Sequence, residues 1–224
     1  MTNVTNRGAR TLADMALAEL RQAIISGELA PGSPVRLQEQ VERLSMSSVP
    51  IREALRLLER SGLVDRSPHR GAQVAEMSAQ DLNETYMIRL ELESMAVRLA
   101  AESMTEDDRD RLLGLMEQYA DASRREDASA RDIHAQFHMG LYELSGSKWL
   151  LRLLPMLWDN AERYRRLALP IRGTTEERIR EHRAIVEAAA AGDPDEAERA
   201  LRSHLSNSFD AAIERLRQQE EDAE

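Results

Sequence analysis

Apolar residues Leu12, Met15, Ala16, Leu20, Ala23 and Ile24 recur every three or four positions, the stripe of an amphipathic helix over residues 12–26, which Gly27, Pro31 and Gly32 end. A second, shorter helix fits Leu37 to Leu44. Ser47 stands where an N-cap would open a third from about Ser48 to Ser61, with Ile51, Leu55 and Leu58 on one face and Gly62 as the stop. The next stretch, LVDRSPHRGAQVAEM, has two short apolar runs around a Pro68 to Gly71 turn and predicts a β-hairpin. Helix, helix-turn-helix and hairpin in this order make a winged helix-turn-helix.

After Met77 the pattern is helical throughout, and four starts carry capping signals: Ser78 with Asp81, Thr105 with Asp108, Thr174 with Glu177, and Asp193 with Pro194 and Glu196. Two further helices fit roughly 127–145 and 148–168, separated by Ser145-Gly146-Ser147, with a kink expected at Pro155. Six helices on short loops form an antiparallel bundle. The expected class is therefore mainly α. Its organisation is a tail over 1–10, a winged helix-turn-helix over 11–76, a linker over 77–80, a helical domain over 81–217 and an acidic tail over 218–224.

Charge refines this division. The net charge of −10 over 224 residues argues at first against nucleic acid. Residues 1–75, however, carry 10 basic and 8 acidic groups, against 20 and 32 in the remainder, so a mildly basic head precedes an acidic body. There are no cysteines, hence neither disulfides nor thiolate metal ligands. Nothing before residue 20 forms the apolar core of a signal peptide, and no run approaches the roughly 18 apolar residues of a membrane span. The expectation is a cytoplasmic protein with no membrane partner.

The third helix places Arg52, Arg56 and Arg60 beside its apolar face, which suits a helix docked on a core with its other side toward phosphates. Its N-terminal residues, Ser47, Ser48, Val49 and Arg52, occupy the end from which a recognition helix reads base edges. The hairpin tip, Pro68-His69-Arg70-Gly71, is a tight basic turn of the kind a wing needs. The segment GELAPGSPVRLQEQVERLSMSSVPIREALRLLERSGLVDRSPHRGAQV resembles the DNA-binding domain of the GntR family over about residues 11–76. That resemblance implies DNA contacts at Gln38, Ser47, Ser48, Val49, Arg52, His69, Arg70 and Gly71. The family usually has arginine after the serine of this turn, where this chain has Ser48, so a common phosphate or guanine contact is missing.

Four of the five histidines fall in the second domain. His134 and His138 are one turn apart and can point at one atom. His182 shares a helical face with Ile179, Ile185, Val186 and Ala189, and His204 with Ala197, Leu201 and Leu205. Each alone reads more readily as a satisfied core residue than as a ligand. Together, four interior imidazoles on three helices are costly unless a divalent cation satisfies them. Residues 80–217 resemble the FCD ligand-binding domain of the FadR subfamily, whose pattern is an acidic residue and then Phe-His on one helix, followed by single histidines on the last two. Here His134 stands in the acidic position, before Phe137-His138, Glu181-His182-Arg183 and Ser203-His204-Leu205. Four neutral imidazoles would leave a bound ion at +2 and favour zinc, nickel or cobalt over magnesium or calcium. The family resemblance implies a small carboxylate effector on that metal, with Arg89 matching a pocket arginine that grips it; a plain helix ion pair with Glu93 is the alternative for Arg89.

The function expected from these features is a ligand-responsive DNA-binding regulator, a repressor acting as a homodimer on a two-fold symmetric operator, with the junction around Met77 to Asp81 as hinge. A metal that is itself the signal, or purely structural, stays open. A metalloenzyme is disfavoured. His134 and His138 have the spacing of a zinc-protease helix, but the position after the first is Ala135 rather than a glutamate base. No nucleophile or phosphate-binding loop appears either.

Overall fold

A computed structural model describes residues 11–67 and 71–222. The chain divides into two compact units, one up to Met77 and one from Ser78.

The first unit has helices α1 (Leu12–Ser26), α2 (Leu37–Leu44) and α3 (Ser48–Arg60), then strands β1 (Val64–Ser67) and β2 (Gly71–Val74). Thr11 and Asp14 close a reciprocal capping box on α1, and Gly27, at φ 78°, turns the chain out of it. Ser47 sits at the N-cap of α3, but its side chain makes no capping bond there. β1 and β2 pair antiparallel with Val64 opposite Val74, and Pro34 bridges to Gln73 on the outer side of β2. Leu20, Ile24, Ile51, Leu55, Leu58, Leu63 and Val74 form one core, which fixes the outward faces of α3 and the hairpin. Pro68, His69 and Arg70, the predicted wing tip, lie outside the described residues.

The second unit comprises α4 (Ala79–Ala101), α5 (Glu106–Arg124), α6 (Ser129–Glu143), α7 (Leu150–Ala168), α8 (Thr175–Ala190) and α9 (Pro194–Glu221). Thr105 and Thr174 close capping boxes with Asp108 and Glu177. Two boundaries differ from the sequence expectation. Ser78 accepts a hydrogen bond from the Asp81 N–H, so α4 starts inside the expected linker. α9 continues to Glu221, supported by the Gln218 to Glu214 pair one turn apart, so helix replaces most of the expected acidic tail. α7 runs through Pro155 as one helix.

α4 packs on α9 and α7, α9 on α8, and α5 on α6 and α8. Leu112, Phe137, Leu141, Tyr142, Leu154, Ile185, Val186, Leu201 and Leu205 fill the space between them. The first turn of α4 is held by α7: the Ser78 N–H donates to the Tyr164 hydroxyl, which in turn donates to Asp81 at 2.7 Å. Tyr164 is fully buried. Tyr164→Phe removes both bonds while keeping the ring, and is expected to cost about 1–2 kcal/mol. Urea unfolding measures this, and an unchanged midpoint would show the clamp to be inert.

Candidate functional site

On the first unit, the buried face of α3 leaves Arg52, Arg56 and Val49 exposed. Arg52 donates to the Ser48 hydroxyl at 2.8 Å, so the residue standing where the family usually has arginine holds a neighbouring arginine instead. Gln38 is exposed on α2 beside Glu42, and Ser47 is exposed before α3. Gly71 begins β2 at φ 76°, a left-handed conformation that suits glycine. A groove between α3 and the hairpin is lined by Arg36, Arg52, Arg56 and Arg66, with Leu55 and Ala72 at its floor. Arg36 and Arg66 went unnoticed in the sequence because only the fold brings them beside α3. Their pairs with Glu39 and Glu59 are exposed and contribute little.

In the second unit α6 supplies His134 and His138, α8 His182 and α9 His204. All four are buried, and one ring nitrogen from each lies within 4.8 Å of the others. The Nε2 atom of His182 is 3.0 Å from that of His138 and 3.2 Å from that of His134. Phe137, Trp158 and Tyr119 wall the cluster, with Trp158 4.7 Å from the His138 ring.

The outer nitrogens decide what this cluster can hold. His182 Nδ1 lies 2.5 Å from the Arg178 carbonyl, which only accepts, so the proton sits on Nδ1 and Nε2 carries a lone pair. His204 Nδ1 meets the Glu181 carboxylate at 2.8 Å, with the same result. His138 Nδ1 is 3.1 Å from the Tyr142 hydroxyl, whose own proton goes to Glu93, so His138 must also donate through Nδ1. With these tautomers the 3.0 Å approach of His138 to His182 is lone pair against lone pair, which a cation held between them relieves. A proton is disfavoured, because burial pushes all four imidazoles below their ordinary pKa; for His204 the Glu181 carboxylate opposes the shift. The buried Nδ1 of His134 has no hydrogen-bond partner. This donor set fits a divalent transition metal.

Glu181 also accepts from Arg172 at 2.5 Å and from Asn207 at 2.8 Å. Burial works to raise its pKa, but the hydrogen bonds from His204 and Arg172 outweigh that and hold it at about 2. Beside the histidines is a cavity of about 10 Å³, room for a single water, lined by Arg89, Trp158, Glu162, Arg165, His134 and His138 among others. Arg89 lines this cavity, and its Nε donates to Glu93 at 2.6 Å, the helix ion pair that the sequence offered as its alternative role. Arg165 is held by both oxygens of Glu162 at 2.5 Å. Sequence reasoning missed Tyr142, Glu181, Trp158, Glu162 and Arg165. Tyr142 had a signal in its one-turn spacing from His138, as did Glu181 in preceding His182.

Among the described residues no helix is long and apolar enough to cross a membrane. Residues 12–74 match the model of bacterial regulatory proteins of the gntR family, and residues 84–207 match the FCD domain. The chain is 30% identical over 214 residues to the HTH-type transcriptional regulator BphR of Paraburkholderia xenovorans, covering 89% of this chain and 84% of that one. It is 33% identical over 189 residues to a probable D-xylose utilization operon transcriptional repressor of Paenarthrobacter nicotinovorans, covering 82% and 80%. Among solved structures, McbR/YncC of E. coli superposes with a TM-score of 0.82 at 25% identity, covering 93% of this chain and all of that one. With a DNA-binding unit of the one kind and a helical unit of the other, the chain belongs to the gntR family of bacterial regulatory proteins, FCD-containing branch, and is a transcription regulator rather than an enzyme.

Proposed function

We propose that the chain is a cytoplasmic repressor that binds a two-fold symmetric operator in double-stranded DNA as a homodimer, and that a small organic acid bound beside a metal in the helical unit controls that binding. The observation that carries the reading is the convergence of bare imidazole nitrogens beside a cavity that also receives Arg89 and Arg165. His134, His138, His182 and His204 would hold the ion, zinc in the first instance and nickel or cobalt otherwise. When bound, it supplies a positive charge for a carboxylate, and Arg89 supplies a second grip. On the DNA side, Gln38, Ser47, Ser48, Val49 and Arg52 meet base edges, while His69, Arg70 and Gly71 enter the adjacent groove. Arg36, Arg56 and Arg66 hold phosphates around Arg52. The naming of the Paenarthrobacter relative as a repressor supports repression over activation.

Mobility shift with DNA from upstream of the protein's own gene tests the reading. Retardation is expected, and Arg52→Ala should weaken it about 5- to 150-fold, the equivalent of 1–3 kcal/mol. Absence of binding, or equal binding by the variant, refutes the DNA assignment. Small carboxylates should then release the DNA and raise the melting temperature only without chelator. One observation favours a second reading, in which the metal itself is the signal or is structural: the cavity holds only about one water. In that case chelation alone changes DNA binding and no organic acid has an effect.

A further inference from the structure

The four-histidine set lacks the carboxylate that the FCD pattern places at position 134, but buried carboxylates stand one step outside it. Glu93, on α4, is 1% exposed. One of its oxygens takes the Arg89 Nε–H and the other takes the Tyr142 hydroxyl proton. Tyr142 is fully buried, and its hydroxyl gives its one proton to Glu93. What it offers His138 is a lone pair at 3.1 Å. The direction of this chain is set at the carboxylate end, because a carboxylate flanked by Arg89 only accepts. Glu181 does the same for His204 directly.

We propose that Glu93, acting through Tyr142, is a positioning residue that holds His138 as the Nδ1–H tautomer and so turns its Nε2 lone pair into the histidine cluster, with Arg89 as the counterion that keeps Glu93 in place. The proposal rests on the reading of the cluster as a metal site. It moves the missing negative charge from the ligand set to the layer behind it, where it raises the basicity of a ligand instead of coordinating. In Glu93→Gln the side-chain amide can donate to the Tyr142 oxygen. The phenol proton is then free to turn toward His138 Nδ1, which becomes an acceptor, and the ring proton moves to Nε2. Tyr142→Phe removes the acceptor altogether, and His138 then gains more by donating through Nε2 to the His182 lone pair at 3.0 Å.

The test uses the full chain labelled with ¹⁵N-histidine and freed of metal by chelator. Long-range ¹H–¹⁵N spectra read which ring nitrogen carries the proton, with His138 assigned by its loss in His138→Asn. The expected result is Nδ1–H for His138 in the wild type and a shift toward Nε2–H in Glu93→Gln and Tyr142→Phe. An Nε2–H wild type overturns the proposal, whether or not either variant folds. So does a tautomer unchanged in a folded Glu93→Gln. Zinc titration against a competing chelator is the second arm, with affinity expected to fall about 10- to 100-fold in folded Glu93→Gln. A wild type that takes up no zinc refutes the metal reading, while the tautomer spectra still decide the role of Glu93.

Discussion

His182→Asn is expected to abolish stoichiometric zinc binding and the thermal stabilisation that goes with it. His182 is the hub of the cluster, since its Nε2 approaches those of both His134 and His138. Its ring is fixed by the Arg178 carbonyl behind it and by Phe137 beside it. With zinc held at the proposed site, free metal at about a thousand times its dissociation constant would stabilise the folded chain by about 4 kcal/mol. For a domain of this size that raises the melting temperature by roughly 8–16 °C. The variant should show almost none of this rise. Asparagine is preferred to alanine because His182 is fully buried, and a large-to-small change there costs about 2–5 kcal/mol in its own right. Melting curves without zinc and with free zinc buffered at about a thousand times its dissociation constant, alongside metal analysis of protein purified without a nickel column, decide the matter. A full zinc-dependent rise in the variant would remove His182 from the site.

Acid should destabilise the metal-free chain steeply. Burial holds His134, His138 and His182 well below the ordinary imidazole value of about 6.5, so they are neutral when folded and protonated in the unfolded chain once the pH drops under that value. The unfolded state then binds more protons, and stability falls as pH falls. It is complete above about pH 6.5 and declines below it by about 1.4 kcal/mol per pH unit for each imidazole, roughly 4 kcal/mol per unit for the three. Arg89 and Arg165 facing the cluster act in the same direction, whereas Glu181 opposes at His204. The Glu181 carboxylate, held at about 2, contributes stability that is lost only as pH falls from 4.5 toward 2, so it leaves the higher window untouched. Urea unfolding in chelator at pH 7.5, 6.5 and 5.5 reads the slope. A flat profile would mean that the imidazoles are not buried and neutral together.

The elements were legible because their signals are local. Thr11, Thr105 and Thr174 each cap a helix three residues before an acidic partner, and Gly27 and Gly62 end helices at positive φ. The spacing of His134 and His138, and the apolar neighbours of His182 and His204, were equally local, and the fold brings the four together. What the sequence concealed depends on partners far along the chain. His138 with Tyr142, and Arg89 with Glu93, are each one turn apart and visible as pairs. That the two pairs join through Tyr142 and Glu93, 49 residues apart, follows only from the packing of α4 against α6. Likewise Ser48 looked like a lost contact, whereas its hydroxyl holds Arg52.

The single-water cavity beside the histidines bears on time as well as affinity. A ligand larger than water would need the walls of this cavity, which α4, α6, α7 and α9 supply, to move apart. Its apparent dissociation constant is then the intrinsic one divided by the fraction of chains already open, so a closed resting state weakens binding in proportion. Capture and release follow the opening rate of the helices, typically microseconds to seconds, rather than the rate of diffusional encounter. Under the proposed function, ligand control would therefore be limited by opening of the helical unit as well as by affinity.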